Sequence, residues 1–232
     1  MPLYDVLRRR VLELKNRPKS LVEASVESIR NSIIRGELVL GQPLTEVALS
    51  QALGISKTPV REALSVLKSE GIVVSETHKG YKVFSMNQEQ LVAFCELRFA
   101  LESQALRYAV ERNPEQLDAQ LNATLQQMEQ HQGAEDREDY LRLDTEFHRN
   151  FFLASSNSFL LEHYDQINSM IETLRHYISR SDEATQTSLA GHVHIARLIH
   201  SGHLSEAVAQ LDEHIVQWSR RNLIPSLNAP AS

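Results

Sequence analysis

The sequence predicts a mainly α chain in two parts: a short N-terminal part of helices and one hairpin, then a long all-helical part. Three observations predict it. Before residue 85, five glycines and four prolines cut the 232-residue chain into short elements. Between Glu115 and Ile224 there is no proline, and only Gly133, Gly191 and Gly202 interrupt, which leaves room for long helices. Charge divides at the same place: residues 1–85 carry 13 Lys+Arg against 9 Asp+Glu, and residues 86–232 carry 11 against 21. A basic first part on an acidic remainder puts any polyanion partner on the first part.

Taken in order, residues 1–19 are basic and read as an arm or a short helix, with Leu7, Val11 and Leu14 on a weak helical stripe. Ser20 with Glu23 reads as a capping box opening a helix whose apolar positions Val22, Val26, Ile29 and Ile33 keep helical spacing as far as Gly36. Leu44 to Gly54 reads as a second short helix, from a Thr45 cap to a glycine stop. A third follows Lys57, with Thr58 as N-cap and Pro59 at the first helical position, and runs to Glu70-Gly71. The β-prone runs Ile72–Ser75 and Tyr81–Phe84 then bracket a turn and read as a hairpin.

Three helices, with a glycine turn between the second and third, followed by a hairpin, make a winged helix-turn-helix over residues 20–84. In that arrangement the third helix enters a DNA major groove by its first turn. That turn holds Ser56, Lys57, Thr58 and Arg61. Arg61 is long enough for a bidentate contact to guanine, while Lys57 and the hydroxyls suit phosphates or water-mediated reading. At the hairpin tip, His78 and Lys79 would reach a neighbouring groove or phosphate, and Gly80 allows the tight turn.

Several classes are excluded. The longest apolar run, Leu91 to Cys95, has five residues, far short of the roughly 20 that span a bilayer. The N-terminus has Arg8-Arg9-Arg10 but no apolar core of a secretory signal. A single Cys95 inside an apolar stretch reads as a buried thiol, and a reducing cytoplasm is expected.

After a linker at 85–88, six amphipathic segments (89–112, 114–132, 136–155, 158–180, 183–201 and 204–222) predict an all-α six-helix bundle, followed by a tail at 223–232. Nine of the ten histidines lie in this part. Asp144 and His148, spaced i,i+4, project from one helix face as a chelating pair. His192 and His214 flank Gly202 by ten and twelve residues. If the chain folds back there, both stand about 15–18 Å from the turn and can converge. One carboxylate and three imidazoles suit a divalent ion with open positions, with Zn²⁺ the first expectation and Ni²⁺ or Mn²⁺ the others. Periodicity alone does not separate this quartet from histidines that are merely hydrogen-bonded, and His194 and His176 lie close enough to replace a member. His131, His163, His200 and His203 read as surface or cap residues.

The run Leu44-Thr45-Glu46, Ala48-Leu49-Ser50 and Leu53 through Leu64, with Leu67, Glu70-Gly71-Ile72-Val73 and Lys79-Gly80, resembles the DNA-binding signature of GntR-family bacterial transcription regulators over about 65 residues. Two positions depart from it. Val47 stands where many members have a basic residue, and Lys57 replaces a commoner arginine, offering a point charge in place of a planar fork. Glu96-Leu97-Arg98 with Leu101-Glu102, Asp144 through His148, His192 with Ile195, Ile199 through Gly202, and Ala207 with His214-Ile215 resemble the FCD effector domain of the FadR-type branch. Six helices instead of seven resemble its VanR-like subgroup. The resemblance implies a metal held by Asp144, His148, His192 and His214, and His203 where an Asp commonly caps the last helix.

It also implies a non-enzymatic, DNA-binding homodimer on an inverted-repeat operator, switched by a small organic acid bound at the metal, with no membrane partner. Arg98 would pair with the acid's carboxylate, although it reads equally well as an internal ion pair with Glu102. Asn168 and Arg175 are weaker expectations for the cavity wall. The competing readings are a direct metal sensor and a metal-dependent hydrolase.

Overall fold

The computed structural model describes residues 20–76, 80–131, 137–178 and 181–221. The expected arm at 1–19, the wing-tip residues His78 and Lys79, and the tail at 223–232 lie outside the described residues. The chain forms two compact units, one holding the residues up to Ser85 with the segment Gln166–Leu174 of a later helix, the other holding the rest.

In the first unit the elements are α1 (Leu21–Ile34), β1 (Pro43–Leu44), α2 (Glu46–Leu53), α3 (Lys57–Ser69), β2 (Val73–Glu76) and β3 (Gly80–Val83). The Ser20–Glu23 capping box forms with both reciprocal bonds. Thr45 caps α2 through the Ala48 N–H. Gly54 ends α2 at φ 69°, a left-handed conformation that any Cβ would strain. α1 and α2 each pack against α3, and Ile29, Ile33, Leu49, Val60, Leu64 and Leu67 are buried.

Two local expectations are corrected. α3 starts earlier than expected: Ser56 is its N-cap and Lys57 its first residue, so Thr58 is not the cap and Pro59 stands at the third helical position. Proline is tolerated there because first-turn N–H groups have no partner within the helix. Leu44 does not open α2. With Pro43 it forms β1, which pairs with β3 in the antiparallel order β1-β3-β2. The β2–β3 register sets Val73 opposite Val83 and Glu76 opposite Gly80.

The second unit is helical: α4 (Gln88–Arg112), α5 (Pro114–Gln130), α6 (Arg137–Ser155), α7 (Ser158–Ile178), α8 (Asp182–His200) and α9 (Leu204–Asp212), with α9 passing into a π-helical turn, Glu213–Gln217. α6 packs on both α4 and α5, α8 packs on α5 and α9, and the π turn packs on α4. Tyr140, Leu143, Phe147 and Phe151 of α6 are fully buried, so the helix carrying Asp144 and His148 is central to the core. Cys95 is buried, and burial pushes its thiol above the ordinary value, opposed by a hydrogen bond with Ser219. His203 caps α9 without a side-chain hydrogen bond. No described helix is long and apolar enough to cross a membrane.

Candidate functional site

On the first unit, Ser56, Lys57, Thr58 and Arg61 are all exposed on the first turn of α3. The Ser56 hydroxyl makes no cap hydrogen bond. Arg61 donates from Nε to Glu46 Oε1 at 2.8 Å and from Nη2 to Glu46 Oε2 at 2.7 Å, a planar fork between α3 and α2. That hydrogen-bonded pairing holds the Glu46 carboxyl below, and the Arg61 guanidinium above, their ordinary values. Beside Glu46, Val47 is exposed, an apolar residue on this face. Gly80 begins β3 at φ 87°.

In the second unit, the fold brings together His148 of α6, His192 of α8 and His214 of the π turn, with one ring nitrogen from each within 4.8 Å of the others. The ring centroids lie 4.4 to 5.3 Å apart. His148 Nε2 faces His192 Nε2 at 3.1 Å. Asp144 borders the group, 3.9 Å from His148 Nε2 and 3.6 Å from His192 Nε2. It is also held by Arg175, whose Nε lies 2.6 Å from Oδ1 in an ion pair, and by the Ser188 hydroxyl on Oδ2 at 3.2 Å. His163, His194, His200 and His203 are exposed and outside the group. His131 and His176 are partly exposed and also outside it.

Two backbone features lie at the point of convergence. The π turn closes with the Trp218 N–H on the Glu213 carbonyl. It places an extra residue in one turn and rotates the residues beyond it by about 100° relative to a continuous α-helix. Gly191 of α8 lies against His214: a Cβ there would stand 2.7 Å from the His214 Nδ1. Glycine is required at this helical position for space, not for φ.

The electrostatics suit a cation. Burial holds His192 down at about 4, with Asp144 pulling the other way. Burial likewise keeps His148 and His214 well below the imidazole range, reinforced for His148 by Arg98 and Arg175 and for His214 by the other two rings. These imidazoles are neutral, with lone pairs available. Burial works against the charge of Asp144, but Arg175 and then the imidazoles outweigh it and hold the carboxyl well below the carboxylate range. His192 Nδ1 is buried with no hydrogen-bond partner among the described residues, whereas Asp144 Oδ1 is taken up by the Arg175 ion pair. A compact set of neutral nitrogens beside an ionised carboxylate, with one buried ring nitrogen unsatisfied, fits a divalent metal.

Next to this group is a cavity of about 40 Å³ whose lining includes Arg98, Asp144, Arg175, Ser188, His214 and Trp218. Arg98 is bonded through Nε to Glu102 at 2.6 Å, the expected internal ion pair, and also lines the cavity. Burial opposes its charge, and Glu102 with the other neighbours outweighs burial to hold the guanidinium above its ordinary value. Arg98 Nη2 and Arg175 Nη2 are buried without hydrogen-bond partners among the described residues. Asn168 does not line this cavity; its amide donates to Glu172 one turn on at 3.1 Å. Sequence reasoning missed Gly191, Ser188 and Trp218 at this site, and it gave Glu102 only as the ion-pair partner of Arg98. The signal for Glu102 was a pair of charges, Arg98 and Glu102, on the stripe otherwise marked by Leu91, Cys95, Ala105 and Ala109.

Comparison with known proteins agrees with this architecture. Residues 93–217, more than half of the chain, match the model of the FCD domain. Residues 21–83 match that of the bacterial regulatory proteins of the gntR family. The chain is 32% identical over 176 residues to the "Nta operon transcriptional regulator" of Aminobacter aminovorans, covering 75% of this chain and 81% of the relative. It is 28% identical over 205 residues to the "Probable D-xylose utilization operon transcriptional repressor" of Paenarthrobacter nicotinovorans, covering 86% and 90%. Among solved structures, E. coli McbR/YncC shares the fold at a TM-score of 0.73 and 24% identity, covering 90% of this chain and 100% of that one. Lar of Listeria monocytogenes does so at 0.61 and 22%, covering 87% and 96%. The Aminobacter and Paenarthrobacter relatives are transcriptional regulators, a non-enzymatic family, which sets the hydrolase reading aside. The chain belongs to the GntR family and is a DNA-binding transcription regulator that carries an FCD domain.

Proposed function

We propose that this regulator is a ligand-responsive switch, a cytoplasmic homodimer that binds an inverted-repeat operator and releases or tightens on a small organic acid. Residues 20–84 read the operator, 85–88 link, and 89–222 sense. Ser56, Lys57, Thr58, Arg61 and the wing residues His78, Lys79 and Gly80 carry the DNA contacts, because this first turn of α3 is exposed and suited by its side chains to phosphates and base edges.

In the sensing part Asp144, His148, His192 and His214 hold a divalent metal, zinc in the first place. When bound, the metal supplies a Lewis-acid centre with open positions for a carboxylate oxygen. The observation that carries the reading is the cavity beside the histidines, lined by Arg98 and Arg175, each of which has a buried Nη2 without a hydrogen-bond partner among the described residues. Arg98 and Arg175 therefore offer donors for the acid's second oxygen or second carboxylate. Asn168, bonded to Glu172, plays a lesser part. Coupling of acid to operator of about 1–3 kcal/mol, as in other allosteric proteins, gives a 5–150-fold change in affinity.

The test is a mobility-shift titration on a duplex selected by the protein from a random-sequence pool, with zinc, with chelator, and with a panel of short mono- and dicarboxylates. An affinity that no acid changes, in metal-loaded protein shown to bind one of them, overturns the switch. The small volume of the cavity, about 40 Å³, favours one other reading, in which the ion itself is the effector. That reading predicts a full response to zinc alone with no acid present.

A further inference from the structure

Glu102 of α4 is fully buried, and its two oxygens serve two different partners. Oε1 accepts from Arg98 Nε at 2.6 Å. Oε2 lies 2.6 Å from His148 Nδ1. A carboxylate paired with arginine has no hydrogen to give, so the hydrogen in the second contact belongs to the imidazole. A neutral imidazole has one ring hydrogen, and with Nδ1 holding it, Nε2 is a bare lone pair. That Nε2 is the nitrogen facing His192 and Asp144. On the other side, the same carboxylate grips Arg98 by Nε, while Nη2 is left without a hydrogen-bond partner among the described residues and the residue lines the cavity.

We infer that Glu102 is a positioning residue shared by the two halves of the sensing site: it fixes His148 in the tautomer that presents Nε2 to the metal, and it aims the Arg98 guanidinium at the ligand cavity. The inference rests on the metal-and-acid reading above and deepens it. The other two imidazoles have no such support. His192 Nδ1 is buried without a partner among the described residues, and His214 Nδ1 stands 2.7 Å from where a Cβ on Gly191 would be. His148 is therefore the anchoring ligand, the one whose orientation a buried carboxylate sets before any ion arrives. Removing an outer partner of this kind typically costs 10–100-fold in metal affinity.

Two measurements on the full-length protein test this. Long-range ¹H–¹⁵N correlation spectra of the metal-stripped protein report the His148 tautomer directly. The expected result is Nδ1–H in the wild type and a loss of that preference in Glu102→Gln. Titration with Co²⁺ alone, followed by visible absorption, should show binding 10–100-fold weaker in Glu102→Gln. It should also be at least tenfold weaker in Arg98→Met/Glu102→Leu, which removes both buried charges together. A Co²⁺ affinity equal to wild type in the folded double variant would mean that Glu102 only neutralises Arg98, and would overturn the inference. If the double variant does not fold, an unchanged affinity in Glu102→Gln overturns it equally. An Nε2–H tautomer in the metal-stripped wild type overturns it without any metal. Failure of the wild type to bind Co²⁺ at all, with the tautomer as expected, instead overturns the metal centre and leaves Glu102 as the support of Arg98 alone.

Discussion

Arg61 on the recognition helix and Glu46 on the helix before it are locked in a two-bonded fork, Nε to Oε1 at 2.8 Å and Nη2 to Oε2 at 2.7 Å. The edge of the guanidinium that Glu46 occupies is one of those an arginine offers to guanine O6 and N7. Glu46 thus both aims Arg61 and competes for it. Glu46→Gln is expected to raise affinity for random duplex DNA at low salt, by removing a negative charge from this face, and to lower the ratio of operator to random binding severalfold. Fluorescence anisotropy on both duplexes across a salt series measures this. A ratio that stays at the wild-type value would show that the fork plays no part in discrimination.

Arg61→Ala should weaken operator binding about ten- to hundredfold, the usual worth of a bidentate base contact. Random DNA should lose far less. Equal losses on both duplexes would reassign Arg61 to a phosphate.

The histidine group should show itself in thermal stability. Zinc at a thousand times its dissociation constant adds about 4 kcal/mol to the folded state, and His192→Ala should abolish that increment while leaving the chelated protein folded. Scanning calorimetry with zinc and with chelator decides it. A His192→Ala protein that gains as much from zinc as the wild type would place the ion elsewhere.

Gly191→Ala should disturb the site through space alone. The added methyl would stand 2.7 Å from His214 Nδ1, so the ring must turn or the helices part, at a cost of about 1–3 kcal/mol for overpacking. Metal affinity should fall together with melting temperature. A variant with unchanged Co²⁺ affinity would mean that His214 is not a ligand.

Acid should destabilise the metal-stripped protein. His192 titrates near 4 when folded and near 6.5 when unfolded, so between those values the unfolded chain binds a proton that the folded chain does not. Stability then rises with pH through this window and is lost as pH falls from about 6.5 towards 4. At about 1.4 kcal/mol per unit, His192 alone contributes about 3 kcal/mol, with His148 and His214 acting in the same direction. Urea melts at pH 7 and pH 5 on chelated protein should differ accordingly, and coincident melts would refute the neutral, buried state of these rings.

Much of this was legible in sequence because the signals are local. A serine three residues before a glutamate, a glycine closing an amphipathic run, and an Asp–His pair at i,i+4 each have one strongly preferred geometry. Even the meeting of His192 with His214 was foreshadowed by their near-symmetric placement about Gly202. Elements that depend on distant partners were not legible. β1 is two residues long, too short for alternation, and exists because β3 lies beside it. Glu102 looks like the second half of a helical ion pair with Arg98 until α6 brings His148 to its other oxygen. Gly191 reads as an interruption in a helix, and only the packed ring of His214 shows what it makes room for.

The π turn at Glu213–Gln217 makes the direction of the residues that follow it depend on chain length and not on side-chain chemistry. Deleting a single residue there, at the loss of one side chain, is expected to restore an ordinary helix and to turn the residues beyond it, Trp218 of the cavity wall among them, by about 100°. Substitution scanning, however complete, would pass over this feature. One codon gained or lost there would therefore be expected to reshape the cavity wall while every residue of the N-terminal helices stays as it is.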